Sequence, residues 1–350
     1  MTADPQLIRE AVLQAIERHR PLCIRGSGSK DFYAERVQGE PLALHEFTGI
    51  IDYEPGELVL TARSGTSLAE LESLLATHGQ MLAFEPPRFG GGTLGGCVAS
   101  GLSGPRRPHT GAVRDFVLGV RIVDGKANDL RFGGQVIKNV AGYDVSRLMV
   151  GALGTLGVLL EISLKVLPRP AVERTLRFQL DEASALDFVN RWAGQPLPIS
   201  ATCHEDNSLS VRLSGCEVAV AAAQRRMGGE WLVEADEYWR SIRDQSAGFF
   251  RAVDPLWRVC VPATAPPLKS NLPQLIEWGG GLRWLSGHAE ADELRRQATA
   301  LGGHVIVFRN RPPNVQVFHP LSPAVYEIHR GLQREFDPHG IFNPGRMYQY

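Results

Sequence analysis

Three separated segments combine glycine with residues able to hold an anion: IRGSGSKDF (24–32), GGGTLGGCVASGLSGP (90–105) and GALGTLG (151–157). A glycine lets bare backbone N–H groups approach a bound group without interference from a Cβ. Successive N–H groups in tight turns form concavities that hold a pyrophosphate without a helix dipole or a lysine. Each segment alone also reads as a tight turn of a β-rich domain, and that reading stays open at this point.

The middle segment contains a literal G-x-G-x-x-G at Gly90, Gly92 and Gly95. A nicotinamide-type loop needs a strand immediately before those glycines and an acidic residue about 20 positions on. Here Phe84-Glu85-Pro86-Pro87-Arg88 precedes them, and two prolines do not fit inside a buried central strand. A Walker A loop is absent, because Gly125-Lys126 is followed by Ala127.

The elements that must position these loops can be read from periodicity. Asp4 and Pro5 open an amphipathic helix, and GELVLTARSG alternates as a strand. Ser67 to Glu70 form a capping box. FVLGVRIVDG and NDLRFGG read as a strand and its returning partner, and GTLGVLLEISLKVLP as a further long strand. Strands joined by turns, with few crossover helices, point to an α+β fold rather than a doubly wound sheet. LPRP (167–170) marks a boundary, after which SALDFVNRWAG, VAVAAAQRRMGG, YWRSIRDQSAGFF and ADELRRQATALGG look helical. LSVRLSG, LWRVCVPA, GLRWLSG and HVIVFR look like strands, so residues 171–320 are expected to form a second α+β domain.

Composition bounds the function. The 350 residues are 43% hydrophobic and 21% charged, which is ordinary for a globular chain long enough for two domains. A net charge of −1 with no basic block disfavours nucleic acid as a partner. Five cysteines (23, 97, 203, 216 and 260) without a C-x-x-C pair argue against disulfides, zinc knuckles and iron–sulfur ligation. The longest apolar run, 148–160, is too short to cross a bilayer, and the N-terminus lacks signal-peptide character. A cytoplasmic location is expected, with attachment to the inner face of the membrane through partners left open.

Taken in order, the three glycine segments resemble the FAD-binding domain of the vanillyl-alcohol oxidase/p-cresol methylhydroxylase (PCMH) superfamily. The resemblance runs from about Pro21 to Pro168 and includes TLGGCVASGLSGP, GAVRDFVLGVRIVDG and VIKNVAGYDVSRLMVGALGTLG. Within the superfamily the chain is similar to the 2-hydroxy-acid dehydrogenase branch, which includes glycolate oxidase subunits and D-lactate dehydrogenases. The tail FDPHGIFNPGRMY resembles the segment that returns to the flavin domain in that family. The resemblance implies a PCMH-type FAD-binding domain of two α+β subdomains over 1–170, an α+β cap over 171–320, and a returning helix and turn over 321–350.

It also implies roles. Arg25, Gly26, Ser27, Gly28, Ser29 and Lys30 would wrap the FAD pyrophosphate. Some relatives attach flavin through a histidine in this loop; Ser29 at that position implies noncovalent FAD. Thr93, Gly95, Gly96, Ser100, Gly101, Ser103 and Gly104 would line the ring and ribityl side, with Asp115 near the cofactor. Gly154, Gly157 and Ile162 would cover the adenosine end. Cys97 reads as a buried small side chain, and Lys138, Asn139, Tyr143 and Asp144 as a polar cluster holding their loop closed.

The second half departs from the branch, whose catalytic members carry G-H-x-G-D-G-N as a metal-binding motif. Here Gly287-His288-Ala289-Glu290-Ala291-Asp292 lacks the second glycine and the asparagine, so no metal is expected. Oxidising a 2-hydroxy acid needs a base for the hydroxyl proton and a cation for the carboxylate. Arg258, Arg283, Arg309, Arg311 and His319 are candidates, and Arg309, Arg311 and His319 are the catalytic set to test. The short chain implies a subunit that works with a larger FAD-binding glycolate oxidase subunit and an iron–sulfur subunit on a small 2-hydroxy acid. A self-sufficient flavin oxidoreductase acting on another hydroxy acid or alcohol, or a scaffold with structural FAD, are the alternatives.

Overall fold

The computed structural model describes residues 4–134 and 144–349, so Lys138, Asn139 and Tyr143 lie outside the described residues. The chain divides into two compact units. The first comprises Met1–Ser103, Ala112–Pro168 and Pro320–Tyr350; the second comprises Gly104–Gly111 and Arg169–His319.

The first unit is built on a five-stranded sheet in the spatial order Ile50–Glu54, Val59–Arg63, Val158–Lys165, Val117–Val123, Asp129–Gly133. Every neighbouring pair in it is antiparallel, which excludes the doubly wound arrangement. A separate parallel pair joins Leu22–Arg25 to Glu40–Ala43. Val158–Lys165 is buried along most of its length, as suits a central strand flanked on both sides. One core packs Leu60, Ile122, Ile162 and Leu164 against Leu68, Leu71 and Leu75 of the helix Leu68–Thr77. A second packs Ile8 and Val12 of Pro5–Arg18 against Phe47, Leu160 and Phe342. Asp4 accepts from the Gln6 N–H and Ser67 from the Glu70 N–H, so both N-terminal caps read in the sequence form.

The glycine-rich stretch holds an element that its composition hides. Leu94–Ser100 is a helix, capped by Thr93 at its start and by Gly101 at φ +65 at its end. Gly95 serves packing there: a Cβ would lie 2.8 Å from Ser64 Cβ, and its N–H donates to Ser64 O at 2.7 Å.

The second unit carries an eight-stranded sheet, in the order Glu230–Trp231, Val172–Gln179, Ser208–Gly215, Ile199–Glu205, Gln274–Glu277, Leu282–Ser286, Leu256–Cys260, His304–Arg309. Helices Glu182–Ala193, Glu217–Met227 and Ala291–Ala300 bury Trp192, Val220 and Leu294 in apolar clusters against it. The segment Gly104–Gly111 is tied to this unit by side chains. Trp278 Nε1 donates to Gly104 O at 3.0 Å, and Arg106 pairs with Glu173 and donates to Ser214 Oγ at 3.3 Å.

Arg283 is fully buried, and its guanidinium is spent on carbonyls. It donates to Pro266 O and Ala265 O at 2.6 Å and to Gly280 O at 3.2 Å. Burial lowers its pKa from the ordinary arginine value, and the three acceptors compensate for lost hydration. This is a clamp on the loop before Leu282–Ser286 rather than a group free for substrate.

Candidate cofactor site

Strand Leu22–Arg25 ends at the first glycine loop, where Gly28 takes φ +79. Asp31 N–H donates to Gly28 O and Tyr33 N–H to Lys30 O, both at 3.0 Å, closing two consecutive turns. The backbone N–H groups of Gly26, Ser27, Gly28 and Ser29 find no acceptor among the described residues. Four successive unengaged donors are what an anion-binding concavity requires.

The opposite wall comes from the capped helix. A Cβ on Gly26 would sit 2.4 Å from Thr93 Oγ1, so the absence of a side chain lets loop and helix approach. The cleft, open to solvent on one side, is lined by Arg25 to Lys30, Thr93, Gly96 and Ser100, together with Leu153, Asn343 and Arg346. Arg25 pairs with Asp31. Arg346 donates to Tyr33 O at 2.8 Å, and burial lowers its pKa while Asp31 opposes that shift. Arg25, Lys30 and Arg346 outnumber the single carboxylate of Asp31 on this lining, so the cleft favours a polyanion. The bare N–H row and the surplus of cations fit the pyrophosphate of FAD.

Asn343 and Arg346 escaped the sequence reading. Asn343 Oδ1 accepts from Ile24 N–H at 2.8 Å, and its Nδ2 donates to Leu153 O at 2.7 Å. One side chain thus ties the first glycine loop to the third. A Cβ on Gly154, at φ +73, would come within 2.7 Å of that Nδ2. The available signal was an asparagine within IFNPG, directly after a helix, in a turn whose neighbours Ile341 and Phe342 are buried.

Other residues from the sequence reading lie apart from this lining. Gly101 ends the short helix, and Ser103 Oγ accepts from Val113 N–H at 3.1 Å. Gly104 is held by Trp278 in the second unit. Asp115 accepts from Ala112 N–H at 2.8 Å. Gly157, at φ +155, has Val123 O 3.1 Å from where its Cβ would be. Ile162 is fully buried, with Ala62 and Val120 as its strand partners. Asp144 accepts from Arg147 N–H and caps the turn Val145–Leu148. Cys97 is buried, and burial pushes its thiol up to about 12, against an opposing pull from Lys30. It is a neutral packing group and not a nucleophile.

The structure does not bring the candidate catalytic set together. Arg309 donates to Gln245 Oε1 at 2.8 Å at one end of strand His304–Arg309. His319 accepts from Val305 N–H through Nδ1 at 3.3 Å, near the other end, and its Nε2 lies 3.2 Å from Thr299 Oγ1. Those ends are about 13 Å apart at strand rise. Burial lowers the His319 pKa, so the ring is a neutral, satisfied bridge. Arg311 is exposed, and His288 is an exposed side chain 3.8 Å from Asp254.

A match to the FAD binding domain family covers residues 2–133. The fold is similar to that of p-cresol methylhydroxylase with substrate bound, with a TM-score of 0.73 at 14% identity over 99% of this chain and 87% of that one. The fold is therefore of the PCMH type, and its first part matches the FAD binding domain family. Over 98% of its length the chain is 48% identical to the glycolate oxidase subunit GlcE of Escherichia coli K12, covering 97% of that protein. It is also 30% identical to the glycolate oxidase subunit GlcD of Bacillus subtilis over 47% of this chain and 36% of that one. The chain belongs to the GlcE family of glycolate oxidase subunits. Among the described residues no helix is long and apolar enough to cross a membrane.

Proposed function

We propose that this chain is the FAD-binding subunit of a complex that oxidises glycolate, or D-lactate, to the 2-oxo acid. The observation that carries the reading is the 48% identity to a glycolate oxidase subunit across nearly the whole chain. Bound FAD supplies a ring able to accept a hydride. The N–H groups of Gly26 to Ser29 hold its pyrophosphate, and Arg25, Lys30 and Arg346 balance the charge. Thr93, Gly96 and Ser100 form the facing wall, and Asn343 keeps both glycine loops in place.

Electrons leave through partners: a larger, GlcD-like FAD subunit and an iron–sulfur subunit. The cofactor is noncovalent, because Ser29 stands in the loop and no histidine lines the cleft among the described residues. The test is to purify the chain alone, record its flavin spectrum and add glycolate anaerobically, then repeat with the partner subunits. Bleaching only with partners is the expected result. Bleaching by the isolated chain overturns the need for a complex, and a chain that cannot be loaded with FAD overturns the whole reading. Flavin that stays with acid-precipitated protein overturns noncovalent attachment.

A further inference from the structure

The last segment of the chain brings Asn343 and Arg346 to the cleft, and a buried carboxylate upstream sets where that segment lies. Helix Pro323–Phe336 ends at Asp337, which is 2% exposed. Its Oδ1 accepts from Ile341 N–H at 3.1 Å and its Oδ2 from Phe342 N–H at 2.8 Å. Burial pushes this carboxyl up, and the two N–H groups pull it back by favouring the charged form. Asp337 itself lies outside the cleft lining.

It is anchored on the core of the first unit. The turn after strand Val117–Val123 donates Gly125 N–H to Phe336 O at 2.7 Å. A Cβ on Gly125 would lie 2.6 Å from Asp337 Cα, so the missing side chain lets the turn close on the end of the helix. Downstream, Ile341 and Phe342 fill the apolar cluster with Ile8, Val12 and Leu160. Leu22 N–H donates to Ile341 O at 2.7 Å, and Asn343 N–H to Leu22 O at 3.0 Å.

These two bonds make a single parallel bridge, Leu22 with Phe342, beside the pair Leu22–Arg25 and Glu40–Ala43. One bridge is too short a ladder to fix register, and a slip of one residue turns every side chain to the opposite face. Here a slip would put Phe342 or Pro344 in the place of Asn343, whose amide holds Ile24 N–H and Leu153 O. Arg346 N–H donates to Asn343 O at 3.0 Å, so an error at Asn343 carries on to Arg346. Two successive N–H groups bound by one carboxylate fix the register that the bridge leaves open.

We propose that Asp337 is a positioning residue that sets the affinity of the cleft for FAD, by holding residues 341–343 in the register that delivers Asn343 to the two glycine loops. This role depends on the FAD binding proposed above and not on the oxidation of glycolate. When the segment undocks, apparent affinity falls in proportion to the docked fraction. Linkage makes the effect reciprocal, so bound FAD raises docking by the same factor.

The full chain, stripped of flavin, is titrated with FAD by fluorescence quenching, with circular dichroism reporting the fold of each variant. Asp337→Ala, which orphans two buried N–H groups, should bind FAD about tenfold more weakly or worse. Asp337→Asn keeps one acceptor and should fall between, and it decides the matter if the Ala variant does not fold. Combined with Asn343→Leu, Asp337→Ala should weaken binding by less than the product of the two single effects, because the carboxylate acts through that amide. Hydrogen exchange at Leu22 and Asn343 N–H should quicken in flavin-free Asp337→Ala and slow in the parent when FAD is added. The control Glu335→Gln, which loses only an exposed pair with Lys126, should bind as the parent does. Parental affinity in a folded Asp337→Ala or Asp337→Asn, or losses that multiply in full in the double variant, would overturn the proposal and leave the proposed function standing. A parent that shows these effects but is never bleached by glycolate, even with partners, refutes the oxidative function and leaves the role of Asp337 standing. A parent that takes up no FAD overturns both.

Discussion

In the unit that carries the cleft, the proposed binding groups are largely backbone: four N–H donors from Gly26 to Ser29, brought against Thr93 because Gly26 has no side chain. In the second unit the arrangement is reversed. There the backbone is committed to the eight-stranded sheet, and contacts are made by side chains contributed by separate segments, as where Arg107 and Arg258 lie over Trp278. The contrast teaches where each kind of site tolerates change. A backbone site fails when a side chain is added; a side-chain site fails when one is removed.

The sharpest way to break this contrast is Gly26→Val. Its Cβ would displace Thr93 Oγ1 from a 2.4 Å approach and strip the cap from Leu94–Ser100. Flavin content, read as visible absorbance relative to protein absorbance, should fall at least tenfold. Gly91→Ala, where nothing lies within 4 Å, should keep its flavin. Equal flavin in both variants would remove the case for a backbone-built cleft.

Next in size is Arg283→Met in the second unit. The carbonyls of Ala265, Pro266 and Gly280 lose their donor; Ala265 and Gly280 are buried residues, so at about 1–3 kcal/mol for each orphaned buried group the loss is about 2–6 kcal/mol. Denaturant unfolding should show the loss, while flavin content in the cold stays at the parental level. If flavin falls in step with stability, the two units do not fail separately.

Asn343→Leu should cost about 2 kcal/mol, because Ile24 N–H and Leu153 O both lose their partner. It should weaken FAD retention as well as lower Tm. Asn343→Asp keeps the acceptor for Ile24 but not the donor for Leu153, so it should fall between parent and Leu variant. An Asp variant as weak as Leu would place the whole effect on the Leu153 contact.

The smallest effect is a pH dependence. His319 has a folded pKa below its ordinary 6.5, chiefly through burial. As pH falls below about 6.5 the unfolded chain takes up the proton first, so this group's contribution is lost between that value and the lower folded one. Lowering the pH from about 7.5 to about 5.5 should reduce Tm, and His319→Gln should shrink the drop. His109, His304 and His329 shift in the same direction, so the variant removes only part of the slope.

The sequence was most legible where structure is local. The caps at Asp4 and Ser67, the hairpin Val117–Val123 with Asp129–Gly133, and the long strand Val158–Lys165 all appear where their patterns lie. Leu94–Ser100 was missed because its glycines lower helix propensity, although Thr93 and Gly101 were its cap signals. Ile199–Glu205 was missed because its middle residues are buried whatever their polarity, and Val172–Gln179 because its two buried residues, Thr175 and Leu176, are adjacent; both erase alternation.

What the sequence determined by itself is the kind of cofactor loop and the α+β class. Glycine is demanded at particular places along the chain by backbone conformation, and that demand is written locally. Only the tertiary structure decided that Asn343 bridges two glycine loops, that Arg283 spends its charge on three carbonyls, and that Arg107 meets Arg258 on Trp278. Apart from Arg283 with Gly280, those contacts join residues from 17 to 319 positions apart, so no local spacing records them.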